Sequence, residues 1–232
     1  MSRANEQGFT TPVWHGTKHN FNEFRGPLRT DGGDFGIHVA TVPETANRAT
    51  GTDLSPDLAR LLPEDRINHA HLRGTKTLPM LARIQNSLRT PDMGIWKTPS
   101  NWIGILGDPA YMNQSGKMSQ AHRHLRPPMD PGLLDEILQL AYKHQNPRNV
   151  QYDPSRVASF QSELNQLLRG KNYDSIQYPN HTEGRGEDSY LLLDPSQLRS
   201  IFAKFDPRNI GSKDLLAGAA PPMIMAQPKE DK

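Results

Sequence analysis

The stretch DPSRVASFQSELNQLLRG (153–170) is followed closely by DSIQY (174–178), SYLLL (189–193) and QLRSIFAKF (197–205). Asp153 and Pro154 stand where a helix takes its N-cap and its first residue. Val157, Phe160, Leu164, Leu167 and Leu168 then recur at three- and four-residue steps, the apolar stripe of a helix that Gly170 is expected to stop. The three segments after it are short, apolar and separated by turn residues, which predicts three strands in quick succession. Upstream, Asp130-Pro131 repeats the cap-and-proline device ahead of Leu133, Leu134, Ile137, Leu138 and Ala141, a second amphipathic helix. Further out, 78–84 (LPMLARI), 36–41 (GIHVAT) and 11–17 (TPVWHGT) each read as strands. In GIHVAT, Ile37 and Val39 alternate with Gly36, His38 and Ala40, so one face is buried and the other is available. Pro43 and Glu44 open a short helix over 42–48. Strands first, helices between and strands last imply an α+β fold with a mainly antiparallel sheet.

The chain has 232 residues, enough for one domain of about 200 residues with tails, hiding near 70% of its open-chain surface. Residues 1–10 are polar and read as a flexible N-terminus, 11–210 as the domain, 89–129 as a long insertion or loop region, and 211–232 as a tail disordered beyond about Leu216. The apolar share of 34% is low, and 18 Gly with 20 Pro favour a loop-rich fold over a helical bundle. Lys and Arg number 27 against 25 Asp and Glu, interspersed, so the field that polyanion binding needs is not evident. With no cysteine, disulfides, thiolate nucleophiles and thiolate metal sites are all excluded. No apolar run of about 18 residues occurs, and the opening lacks the apolar core of a Sec-type signal peptide, so a soluble product is expected.

Four blocks carry a resemblance: TPVWHGTKHNFNEF (11–24), GDFGIHVATVPETA (33–46), LPMLARIQNSLRTPDMGIW (78–96) and YDSIQYPNHTEGRGEDSYLLLDPSQLRSIFAKFDP (173–207). In this order and spacing they resemble ADP-ribosyltransferases of the diphtheria-toxin and poly-ADP-ribose-polymerase type, most closely the ADP-ribosyltransferase domain of phage and plasmid polyvalent proteins. The resemblance spans about 200 residues. It implies a split antiparallel sheet, with flanking helices, around a cleft for NAD+ as substrate, and mono-ADP-ribosyl transfer to a macromolecular acceptor. It also implies a phage, plasmid or bacterial effector or toxin setting, cytoplasmic in the producer or delivered into a target cell.

His15, Gly16 and Thr17 end the first strand, where a glycine lets backbone approach a ligand closely, and are expected to hold the dinucleotide. The resemblance gives Gly16 main-chain bonds to the nicotinamide amide and has His15 donate to a hydroxyl of the adenosine ribose. The second block, with Phe35, Gly36, His38 and Thr41, is expected to face the dinucleotide. His38 stands where the better-known pattern has a stacking Tyr, and only its neutral form suits a cationic pyridinium; Phe35 is an alternative stacking face. Breaking the nicotinamide bond makes an oxocarbenium-like ribose, which a carboxylate bonded to the 2′-OH stabilises. The polymerase-type pattern puts that Glu directly before the strand Tyr, where this sequence has Ser189. Two upstream acids remain. Glu187 shares the face of Ser189 by period two, while Glu183 fits the polyvalent-protein pattern of Asn, two residues, Glu-Gly and then Asp-Ser-Tyr. Glu183 is placed first, Glu187 second and Asp188 third.

Against the enzyme stands a non-catalytic NAD- or ligand-binding or structural module on the same fold, of phage or mobile-element origin, in which Ser189 marks a lost glutamate. His69-Ala70-His71 and His122-Arg123-His124 are HxH pairs with no third ligand at a recognisable spacing, so no metal is expected. No Walker-type loop and no GxGxxG follows a strand, so NAD+ would be held without a Rossmann fold. The charge balance favours a protein acceptor over nucleic acid, with no membrane partner, and leaves the oligomeric state open.

Overall fold

The computed structural model describes residues 2–18, 21–24, 36–50, 76–107, 129–145 and 153–217. Five α-helices and seven strands form an α+β fold among these residues. The strands are β1 (Thr11–Thr17), β2 (Ile37–Ala40), β3 (Lys76–Ala82), β4 (Ser87–Arg89), β5 (Ser175–Asn180), β6 (Glu187–Leu192) and β7 (Leu198–Ser200). The helices are α1 (Arg3–Glu6), α2 (Pro43–Ala49), α3 (Pro99–Leu106), α4 (Pro131–His144) and α5 (Pro154–Gly170). The sheet runs β4-β5-β6-β2-β1-β3-β7 and is antiparallel except where β4 lies parallel to β5. Its weakest seam is central: β1 and β2 meet through a single register pair, Trp14 opposite Ala40, whereas β1 is zipped to β3 along its whole length.

The two longest helices form for the reasons read in the sequence. Asp130 accepts from the Leu133 amide at 2.9 Å, and Asp153 from the Ser155 and Arg156 amides at 3.0 and 3.4 Å. Their stripes meet a core in which Ile137, Ala141, Phe160, Leu164 and Leu168 are fully buried against Ile176 and Leu191 of the sheet. A second core, with Val13, Val39, Met80 and Leu192, fills the β1-β2-β3 side. The α5 helix ends at Gly170, where the sequence places its stop, with Lys171 as C-cap; the chain then turns at Asn172, whose φ of 63° is a conformation Asn tolerates.

Several boundaries move. Residues 2–10 are not a loose end: Ala4 and Phe9 are buried against Phe205, with the Phe9 and Phe205 rings 5.5 Å apart. The stretch from residue 89 to 107 is not an insertion, since Met93, Trp96 and Trp102 belong to the main core and 99–106 is helix. The β3 strand starts two residues early. The last strand keeps only Leu198–Ser200, because the chain turns outward at Ile201 and Phe202, which are 45% and 75% exposed, and returns at Phe205 with φ 51°. At the other end Leu215 is buried and Asp214 bridges Glu23, so residues 211–217 are packed rather than tail. No described helix is long and apolar enough to cross a membrane.

Candidate functional site

A cleft of about 600 Å³ opens along the weak central seam of the sheet, within the size range of small-molecule and cofactor sites. One side is built from His15 and Gly16 of β1 and from Thr45 and Ala46 of α2. Gly36 and His38, on and just before β2, lie beneath it. The facing side comes from Gly94, Ile95, Trp96 and Lys97, together with Tyr178, Asn180, Glu183 and Ser189 on and between β5 and β6. The early imidazole and one late acid, 168 positions apart in sequence, therefore line one cavity.

His15 is held on three sides. Its Nδ1 lies 2.9 Å from the His38 carbonyl oxygen, and the Phe24 and Phe21 rings meet it edge-on at 4.8 and 6.1 Å. A carbonyl only accepts, so Nδ1 carries the proton. Burial pushes the imidazole pKa below its ordinary value, against the opposite pull of that carbonyl, so the ring is neutral near pH 7 and Nε2 is an acceptor. With its proton on Nδ1, neutral His15 can only accept at Nε2, the reverse of the donation expected from the resemblance. A depressed folded-state pKa means the unfolded chain binds the proton more readily. The stability that neutral His15 confers is thus complete above about pH 6.5 and is lost as pH falls through the folded-state pKa. Chemical denaturation at a series of pH values between 7.5 and 5 should show this loss in the wild type and a shallower slope for His15→Asn.

Gly16 lines the cleft, but the direction of its missing side chain gives another reason for glycine. A Cβ there would stand 2.1 Å from the Ala46 carbonyl oxygen and 2.7 Å from Thr50 Cγ2, so only Gly lets β1 lie this close to α2. Gly16→Ala is expected to cost about 1–3 kcal/mol through the forced separation of strand and helix, read as a lower denaturation midpoint.

His38 does not stand as a free stacking face. Its Nδ1 is 2.9 Å from the Tyr178 hydroxyl, and its ring meets Trp96 and Tyr178 edge-on at 5.8 and 6.1 Å. Trp96 and Tyr178 pack at 4.5 Å, giving the cleft an aromatic wall that the sequence reading did not include. Trp96 fell inside the presumed insertion, and Tyr178 was read only as a strand residue. Phe35, the HxH pairs at 69–71 and 122–124, and the tail beyond residue 217 lie outside the described residues. Among the described residues no cluster of His, Asp and Glu suits a metal ion.

Glu183 is presented by a loop whose anchor is Asn180. The Asn180 Oδ1 accepts from the amides of Glu183 and Gly184 at 2.8 and 3.2 Å, an Asx-type turn, while its Nδ2 donates to Ser189 Oγ at 3.3 Å. Arg48 of α2 donates to the Glu183 carbonyl at 3.3 Å, which ties the loop to the opposite side of the cleft. Glu187 has a different task. Its Oε2 accepts from the Arg185 amide at 2.5 Å, and that bond, with one from its own amide, holds its carboxyl below the ordinary range. Glu187 closes the turn and does not line the cleft. Asp188 is likewise engaged outside it, accepting from Gln177 Nε2 at 2.8 Å. Two further expected contacts are corrected. Thr17 is buried away from the cleft, and the Thr41 hydroxyl donates to the Asp188 carbonyl at 2.7 Å.

No family model and no curated protein matches the chain. A solved structure titled "Crystal structure of an anti-CRISPR protein" aligns over 78% of this chain and 88% of its own at 14% identity, with a TM-score of 0.29. A likeness at that score carries no argument about fold or function, so what the cleft does is argued from its own residues.

Proposed function

We propose that the protein is a mono-ADP-ribosyltransferase that takes NAD+, releases nicotinamide and places ADP-ribose on a macromolecular acceptor, protein ahead of nucleic acid. The seven strands form one continuous sheet rather than the split sheet expected from the resemblance; on this reading the cleft at its thinly paired β1–β2 seam serves as the dinucleotide cleft of the ADP-ribosyltransferase fold. The observation that carries it is the convergence of His15, Gly36, His38 and Glu183 on one cavity of suitable size.

The chemistry follows from the groups present. The glycosidic bond between C1′ and the pyridinium nitrogen breaks, and its electron pair leaves with nicotinamide, whose ring loses its positive charge. The remaining ribose is an oxocarbenium-like cation. The Glu183 carboxylate, bonded to the neighbouring 2′-OH, stabilises that cation as it forms. Neutral His15 accepts from a ribose hydroxyl and fixes the dinucleotide without adding a positive charge to the site. Tyr178 holds His38 in its edge-on place beside Trp96, a wall of low polarity against which the departing nicotinamide rests. An acceptor nucleophile then bonds to C1′ and gives up its proton.

Nicotinamide release from NAD+, with the protein alone and with cell lysate as acceptor, tests this. Turnover that is lost in His15→Ala and Glu183→Gln is the expected result; a wild type that turns over no NAD+ under either condition overturns the enzyme reading. Ser189 favours a second reading. It is buried, it lines the cleft, and it stands where the polymerase-type pattern has its glutamate. A non-catalytic module would bind NAD+ or another ligand there without turnover.

A further inference from the structure

Asp92 lies between β4 and α3 and is 3% exposed. It has no role in the chemistry above, yet its carboxylate is saturated. Oδ1 accepts from the Gly94 amide at 2.9 Å, and Oδ2 accepts from the His181 amide at 2.9 Å, the Thr182 amide at 3.0 Å and the Thr182 hydroxyl at 2.9 Å. Four donors match the roughly four lone-pair sites an ionised carboxylate offers. No described Lys or Arg forms an ion pair with it, so these neutral donors are what compensates its burial.

The donors come from two neighbouring loops that line the same side of the cleft. Gly94, with φ 63°, opens the segment that carries Ile95, Trp96 and Lys97 into the wall. His181 and Thr182 lead directly into Glu183. Asn180 ties the amides of 183 and 184 back to β5, which leaves the two preceding amides to a single Asp92 oxygen across the gap.

We infer that Asp92 is a positioning residue: its carboxylate locks the Glu183 loop to the Trp96 loop, so that acid and aromatic wall form one rigid side of the cleft. The consequence for turnover rests on the proposed transferase reading; the lock itself does not. Asn cannot replace it, because one of its two terminal atoms is an NH₂ donor that would meet either the three donors now on Oδ2 or the Gly94 amide.

Hydrogen exchange by mass spectrometry on the full chain tests the lock, using Asp92→Asn and, as a variant with little risk to folding, Thr182→Val. Amides 181–184 should exchange about 10- to 100-fold faster in Asp92→Asn and by a smaller factor in Thr182→Val, with protection elsewhere in the sheet unchanged. In nicotinamide release, kcat should fall at least about tenfold in Asp92→Asn while KM stays within about threefold, the split expected when an acid is displaced but the dinucleotide still binds. Unchanged exchange at 181–184 in both variants, or a uniform loss of protection across the fold, overturns the inference. If the wild type turns over no NAD+, the transferase reading falls and exchange alone decides the lock. Faster exchange with an unaltered kcat overturns the positioning role.

Discussion

Replacing Glu183 with Gln is expected to slow nicotinamide release from NAD+ about a thousandfold while NAD+ affinity stays within about threefold. A carboxylate about 4 Å from the developing ribosyl cation contributes roughly 4 kcal/mol at an effective dielectric near 20, and the amide keeps the shape while losing the charge. The loop should tolerate the change. Its anchors are the Glu183 amide and carbonyl, not the side chain, so Asn180 and Arg48 retain their bonds. Glu187→Gln is the matched comparison. That carboxylate already serves the Arg185 amide at 2.5 Å, and its loss should leave the chemical step within about threefold. A profile in which Glu187 rather than Glu183 carries the rate would move the acid to the start of β6 and remove the argument built on the 181–186 loop.

The largest effect on stability is expected at Trp102. This side chain is completely buried, donates Nε1–H to the Trp96 carbonyl at 2.9 Å, and packs against the Trp96 and Phe160 rings at 5.8 and 6.1 Å. Trp102→Ala removes the hydrogen bond and leaves a cavity between α3, α5 and the sheet, at a cost of about 3–5 kcal/mol. That is a large share of the 5–15 kcal/mol that typically separates folded from unfolded domains. Because Trp96 is both the partner of Trp102 and part of the cleft wall, the same variant should weaken ligand binding at temperatures where it is still folded. Urea denaturation followed by intrinsic fluorescence gives the first quantity; a midpoint shift corresponding to less than about 1 kcal/mol would show that 99–106 is not the core element described.

What the sequence disclosed, and what it withheld, follow from the range of the interactions involved. The α4 and α5 helices are local objects: Asp130 and Asp153 bond amides two or three residues on, and their stripes repeat within one turn. The β1 strand shows as a short apolar run ending in Gly, and β2 carries its alternation within a few residues. Phe9, by contrast, sits among polar residues and packs on Phe205 from the far end of the chain, while Leu215 joins a core that includes Val13 and Phe24 from the start of the domain. No window of sequence contains that information. The same holds for Trp96, whose neighbours Tyr178 and His38 come from distant strands, and for Asp92, two of whose three amide partners follow 89 and 90 residues later. His15 and Glu183 were legible because a motif pattern names them. Thr41 and Glu187 misled because their polar atoms are spent on backbone, the Thr41 hydroxyl on the Asp188 carbonyl 147 positions away and the Glu187 carboxylate on the nearby Arg185 amide, a fact that only coordinates reveal.

A crystal structure of the protein soaked with a non-hydrolysable NAD+ analogue addresses the main claim most directly. The analogue should lie in the cleft between the His15 strand and the Trp96 loop, with the Glu183 carboxylate within hydrogen-bond distance of the nicotinamide-ribose 2′-OH. An empty cleft at a saturating concentration in solution, or a dinucleotide seated elsewhere with Glu183 untouched, would contradict it.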